Sequence, residues 1–216
     1  DFICLGNFRH APNQDAVKFL KEKIWPEIHQ AVPEAKMLVF GAYSNSGDQR
    51  FHDPAVNFYI KGYSPEVHQE MANARVQLAP LRFGAGLKGK FITGLLAGTP
   101  AVTTGIGAEG INGELSWNGF IKNEASEFAK AAIQLYIDKD KWGRAQEKGF
   151  SILKRFQKEV FYPLLRDKID NSLVNLSEIR SRNFVGAMLL HHRNKSTYYL
   201  SKYIETKNQL ENLRKK

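Results

Sequence analysis

The sequence predicts an α/β fold: a Rossmann-like parallel sheet flanked by helices, followed by C-terminal helices. Three observations carry this reading. Short apolar runs alternate with stretches of helical spacing, most runs end in a loop containing glycine or asparagine, and one glycine-spaced basic loop, Arg82 to Lys90, runs straight into an apolar segment. Repeated βα units of this length imply a parallel sheet with right-handed crossovers over residues 1–150, leaving 151–216 as a basic helical extension.

The first run, Phe2 to Leu5, reads as a strand, and the loop Gly6 to Asn13 follows it. Gln14 to Ile28 then carries Val17, Leu20, Ile24 and Ile28 at helical spacing, with Asn13 expected as the N-cap because its short polar side chain can accept from free helix amides. Pro33 marks the return to the sheet. Lys36 to Gly41 is the second strand and Val56 to Ile60 the third; the latter leads through Lys61-Gly62-Tyr63 to a helix start at Ser64-Pro65-Glu66. Val76 to Pro80 is a further short strand, Phe91 to Ala97 the helix after the basic loop, and Ala101 to Thr104 a β-branched strand closed by Gly105 to Gly110.

Composition sets the class. With 216 residues, 43% of them hydrophobic, the chain can bury a sizeable core, and no apolar run approaches the roughly 20 residues that span a bilayer, so a soluble, cytoplasmic chain is expected. The single cysteine, Cys4, has no partner, which excludes an internal disulfide and favours a reducing compartment. The chain enters a strand at once without a signal peptide, as expected of a piece of a longer protein.

The loop Arg82-Phe83-Gly84-Ala85-Gly86-Leu87-Lys88-Gly89-Lys90 reads as an anion cradle. Glycines let the backbone approach a ligand, the lysines supply charge, and the following helix points free N–H groups and its positive dipole end at the same place. The plainer alternative is a solvated turn. The position between a strand and a helix, where open α/β sheets bind ligands, favours the cradle and makes a phosphate or diphosphate its natural guest.

Four blocks in order, Leu5 through Ala16, Lys61-Gly62-Tyr63, Phe83 through Lys90, and Gly98-Thr99-Pro100 through Gly110, resemble the C-terminal, nucleotide-sugar-binding domain of the glycosyltransferase family 4 / group 1 proteins, built as two facing Rossmann-like domains, the GT-B architecture. The resemblance implies that the chain is one half of a GT-B fold, that an N-terminal acceptor domain is absent from it, and that the isolated chain is inactive. It implies transfer of a sugar from a nucleoside diphosphate sugar, with retention of configuration, no cofactor and no required metal ion, in cell-surface polysaccharide assembly. As the bond to phosphate breaks, charge builds on the diphosphate, and fixed cations stabilise that transition state above the ground state. By resemblance Lys88, Lys90 and Arg9 take this catalytic task. Gly6, Asn7, Lys61, Tyr63, Gly84, Gly86, Thr93 and Glu109 are the donor-binding candidates, with Tyr63 read equally as a rim aromatic and Arg9 alternatively as an exposed charge beside Asp15.

One departure stands out. The family usually carries a glutamate in the helix after the phosphate loop, binding the donor ribose, and here that position is Thr93; many members have another at the position of Ala85. Losing a charge-assisted hydrogen bond costs about 1.5–3 kcal/mol, so weak donor binding is expected. A degenerate, noncatalytic nucleotide-sugar module is therefore one alternative, and a sugar-nucleotide epimerase of the same architecture another. Glu109 is retained, either for the donor sugar or as a cap.

Other constellations read as structural. Asp138-Lys139-Asp140 resembles the two-aspartate motif of a metal-dependent glycosyltransferase architecture but falls at a solvated helix end, and His191-His192 lacks acidic or cysteine partners for a metal. Residues 1–150 hold 17 Lys+Arg against 16 Asp+Glu, and 151–216 hold 14 against 6, so the extension carries +8 of the net +9. In the resembled family the final helices cross back to the N-terminal domain; the competing expectation is peripheral contact with the inner face of an anionic membrane. Nucleic-acid binding is not expected, because the basic and aromatic residues form no single-strand platform.

Overall fold

The computed structural model describes residues 1–214; Lys215 and Lys216, the last residues of the basic extension, lie outside the described residues. The chain divides into two compact units, Asp1–Gln157 and Lys158–Lys216.

In the first unit the strands are β1 Phe2–Leu5, β2 Met37–Phe40, β3 Phe58–Gly62, β4 Val76–Ala79, β5 Ala101–Thr103 and β6 Gly119–Ile121. They form one sheet in the order β3-β2-β1-β4-β5-β6, with every pair parallel. The chain thus starts in the middle, builds outward to β3, and returns to the other side of β1. That reversal between β1 and β4 is the topological switch point, where such sheets open a crevice beyond their carboxyl ends.

The strands are short and apolar because both faces are covered. Phe2 and Cys4 of β1 face a cluster with Leu20, Ile24, Trp25, Phe58 and Phe128, whereas Ile3 and Leu5 face Phe40, Met71 and Ala74 on the opposite side. The covering helices are α1 Ala11–Phe19, α2 Trp25–Ala31, α3 Val67–Asn73, α4 Gly89–Ala97, the short α5 Gly105–Ala108, α6 Ala125–Ile137 and α7 Lys139–Leu153.

Several sequence expectations change. The helix after β1 begins at Ala11, with His10 as its N-cap, so Asn13 lies inside the first turn rather than capping it. Pro12 in that first turn explains the early start, since proline's fixed φ and missing N–H suit it there. The same helix is not uniform: Leu20–Ile24 is π-helical, the Trp25 N–H donating to Leu20 O, immediately before Pro26. A proline ring crowds the carbonyl of the preceding turn, and widening the turn relieves it.

The block Gly105 to Gly110 closes β5 as a four-residue helix, which Thr104 caps by accepting from the Gly107 N–H at 3.1 Å. Strand β6, only three residues long, was not expected; it is anchored beside Trp117, whose indole donates to Ala101 O at 2.9 Å. Finally, the boundary expected at residue 150 falls inside α7, whose Ile152 packs in the cluster with Phe91 and Leu95, so the first unit runs on to Gln157. Asp138 is the hinge between α6 and α7, its carboxylate accepting from the Lys141 N–H at 2.9 Å.

The second unit comprises α8 Lys158–Val174, α9 Leu176–Arg182 and α10 Phe184–Arg214. Its large apolar side chains, among them Phe161, Leu165, Phe184, Leu189, Tyr199 and Tyr203, are exposed. Among the described residues no helix is long and apolar enough to cross a membrane.

Candidate functional site

Beyond the carboxyl ends of β1, β2 and β3 the loops continue side by side. Gly6 N–H donates to Phe40 O at 3.0 Å, Phe8 N–H to Ala42 O at 3.0 Å, and Gly41 N–H to Gly62 O at 2.8 Å. The approach is so close that a Cβ on Gly41 would lie 1.8 Å from Gly6 O. These loops and the first turn of α4 enclose a cleft of about 330 Å³, lined by Gly6, Asn7, Asn13, Phe40, Gly41, Tyr63, Val67 and Lys90, among others.

Lys90 is the cation of this cleft. Its Nζ donates to Asn13 Oδ1 at 2.7 Å, across the switch point from α4 to α1. Desolvation holds the Lys90 ammonium below the ordinary lysine range. Cys4 is itself pushed up by burial, so its thiol supplies no counter-charge at neutral pH. Among the described residues no ion pair involves Lys90. One N–H of the ammonium therefore meets a neutral oxygen, and its charge is not cancelled by a carboxylate.

The main chain of Lys90 is held as firmly. The fully buried Gln77 of β4 donates through Nε2 to Lys90 O at 3.0 Å. Lys90 also stands at the N-terminal end of α4, where unpaired N–H groups and the helix dipole favour negative charge.

Lys88 is placed differently. It occupies the N-cap position of α4, and its Nζ pairs with Glu109 Oε2 at 3.3 Å; the Lys88 side chain is mostly covered while Glu109 is exposed. Glu109 stands at the C-cap position of α5 and turns its carboxylate to this lysine. The preceding loop is pinned at its start by Arg82, whose guanidinium grips the Asp15 carboxylate with two hydrogen bonds, Nε to Oδ2 at 2.9 Å and NH2 to Oδ1, and lies over the Phe19 ring. Gly84 and Gly86 follow with φ of +133° and +75°, a left-handed backbone that admits glycine at little cost.

The sequence-selected residues thus separate into groups. Gly6, Asn7, Tyr63 and Lys90 line one cleft. Lys88 and Glu109 form a pair, while Gly84 and Gly86 shape the exposed loop between them and Arg82. Arg9 is an exposed charge, stacked 3.8 Å above the ring of Tyr43, while the Asp15 carboxylate is engaged by Arg82. Lys61 is exposed, and Tyr63, 73% exposed, stands at the cleft's rim. Thr93 lies one turn into α4, its hydroxyl turned back to Gly89 O at 3.4 Å.

Sequence reasoning missed Asn13, Gln77 and Gly41 as site residues. Pro12 was the signal for Asn13, because it moves the helix start upstream and turns Asn13 inward. Gln77 gave a weaker one, as a polar residue in an apolar strand. Among the described residues no group of three or more His, Cys, Asp or Glu is arranged to hold a metal ion.

The architecture is shared with solved glycosyltransferases. The pneumococcal O-GlcNAc transferase GtfA, solved with UDP and GlcNAc, matches with a TM-score of 0.64 at 15% identity, over 80% of this chain and 35% of its own. HepE of Anabaena, solved with UDP and glucose, matches at 0.61 and 14% identity over 79% and 48%. TarM matches at 0.56 and 15% identity over 76% and 34%. This chain thus spans about a third to a half of the length of those proteins, and at such identities the likeness is one of fold. No curated protein matches the chain by sequence. Residues 1–138, which contain the whole sheet, the cleft with Lys90 and the Lys88–Glu109 pair, match the family model described as glycosyl transferases group 1, and with nearly two thirds of its length so matched the chain belongs to that family.

Proposed function

We propose that this chain is the donor-binding domain of a retaining glycosyltransferase, which takes a nucleoside diphosphate sugar and passes its sugar to an acceptor held by a further domain of the same protein. One observation carries this reading: Lys90 presents a desolvated ammonium, bonded to a neutral oxygen and unpaired with any carboxylate, at a helix N-terminus inside a cleft at the switch point. An anion with more than one charged oxygen satisfies such a group best.

The chemistry follows from charge. When the glycosidic bond to the phosphate breaks, its electrons remain on the departing diphosphate, and Lys90 with the first amides of α4 stabilises that charge more than the bound substrate's. Lys88 joins once the arriving phosphate displaces Glu109. The cleft lining contains no carboxylate, so this half supplies leaving-group stabilisation, and the acceptor's proton passes to the departing diphosphate oxygen or to a group of the acceptor domain. With the charge met by lysine and helix, no metal ion is required. Tyr63 and the loop after β3 border the nucleobase.

The test is calorimetric titration with UDP, GDP and ADP and their sugar conjugates, at low and moderate salt. UDP comes first, because GtfA and HepE were solved with it. Saturable binding by one nucleotide, lost in Lys88→Ala and Lys90→Ala, is expected; absence of binding at millimolar ligand overturns the reading for this chain.

A second reading, a noncatalytic sugar-nucleotide module, draws on one observation: the Thr93 hydroxyl folds onto its own helix at Gly89 and offers no carboxylate for a ribose. Donor binding with no transfer in the full-length protein favours it.

A further inference from the structure

We propose that Asn13 is a positioning residue, whose side-chain amide ties the loop after β1 to α4 and holds the Lys90 ammonium aimed into the cleft. Both ends of that amide are committed. Oδ1 accepts from Lys90 Nζ at 2.7 Å, and Nδ2 donates to Asn7 O at 2.9 Å. The orientation is forced, since reversing the amide would set an NH2 against the ammonium and an oxygen against a carbonyl.

The surroundings are shaped around this side chain. A Cβ on Gly6 would come within 2.7 Å of the Asn13 Cγ, so glycine at position 6 leaves the space that Asn13 fills. Gln77 fixes Lys90 from the sheet side through the main chain, and Asn13 fixes it from the helix side through the side chain. The two ends of Lys90 are thereby held by β4 and by α1.

The neutrality of the tie matters. A carboxylate at position 13 would satisfy the ammonium and repel a diphosphate, whereas an apolar side chain would leave a desolvated cation with no acceptor. Asparagine orients the charge without cancelling it. The groups facing Lys90 are Asn13 from α1, Gln77 from β4 and Cys4 from β1, and of these only Cys4 is titratable, as a thiol that burial keeps protonated at neutral pH. The identity of the anion rests on the donor-site reading above; the tie between Asn13 and Lys90 does not.

The experiment follows the Lys90 side-chain nitrogen by NMR through an alkaline titration, without ligand, in the chain described here and in its Asn13→Ala and Asn13→Asp variants. UDP affinity is then measured by calorimetry at neutral pH. The expected result is a split: the Lys90 midpoint falls in Asn13→Ala and rises in Asn13→Asp, while UDP binding weakens in both, by about tenfold for alanine and further for aspartate. A general loss of packing rehydrates the ammonium and raises the midpoint in both variants, so it cannot send the midpoint in opposite directions. Asn13→Asp is nearly isosteric and carries the test where the alanine variant does not fold. An unchanged midpoint in both variants overturns the proposal, even with UDP bound. A midpoint that moves as expected while no nucleotide binds supports the tie and removes the donor reading instead.

Discussion

Replacing Lys90 by methionine keeps much of the aliphatic stem and removes the ammonium, which separates the charge's role in binding from its role in the fold. The loss for a diphosphate is one charge-assisted hydrogen bond, about 1.5–3 kcal/mol, or a Kd roughly ten- to hundredfold higher. Stability is expected to move the other way or not at all. The ammonium is desolvated and has a single neutral acceptor, so its burial opposes folding, and an apolar replacement relieves that cost.

The pH dependence gives the same separation with a definite sign. Because the folded-state pKa of Lys90 lies below 10.5, the native chain releases this proton at a pH where the unfolded chain still holds it. Between those two values the unfolded state binds more protons, so stability rises with pH in that window; below it both states carry the charge and the burial cost is fully present. Nucleotide affinity falls through the same window as the ammonium is lost. Lys90→Met lacks both trends. Denaturant midpoints between neutral and alkaline pH, with UDP calorimetry alongside, check this. Unchanged UDP affinity in Lys90→Met refutes the placement of the diphosphate, and a loss of more than about 2 kcal/mol of stability refutes the account of Lys90 as a group that opposes folding.

Three further outcomes are expected. Thr93→Glu restores a carboxylate one turn into α4 and is expected to tighten sugar-nucleotide binding by up to about a hundredfold, measured calorimetrically; no change shows that the ribose lies elsewhere. Glu109→Gln frees Lys88 from an ion pair whose carboxylate end is exposed, worth about 1 kcal/mol or less, so UDP is expected to bind a few-fold tighter at low salt, with the gain fading as salt screens the site; weaker binding would show that Glu109 contacts the donor. Gly41→Ala forces a Cβ to within 1.8 Å of Gly6 O, so the loops after β1 and β2 must separate. We expect a loss of about 1–3 kcal/mol in urea denaturation together with weaker UDP binding, and unaltered behaviour in both would show that the loops are free to part.

Much of this was legible along the chain. The run Phe2–Leu5 is the strand expected there, and the basic loop does stand between a strand and a helix. These features are local: alternation of apolar periodicities, glycine where φ is positive, proline at a helix start. Where local signals conflicted, the wrong one was followed, as with Asn13, whose suitability as a cap outweighed Pro12 beside it. Strand β6 is three residues long and owes its place to pairing with β5, which no window of sequence displays.

The basic loop shows the limit most clearly. The sequence assigns its two lysines a common task without showing their partners, and the structure places Lys90 in the cleft against Asn13 and Lys88 against Glu109. Their spacing puts them on the same turn, and what they meet there depends on which strands stand on either side.

The amino-acid sequence alone determined the α/β class, the glycine-spaced basic loop between strand and helix, and the family resemblance, because each rests on short-range periodicity, turn chemistry and blocks of adjacent residues. Tertiary structure decided the rest. The order β3-β2-β1-β4-β5-β6 sets α1 beside α4, and so brings Asn13 within 2.7 Å of Lys90, 77 residues away. Local pattern encodes what each segment is, and only the packing of the segments on one sheet encodes which side chains meet.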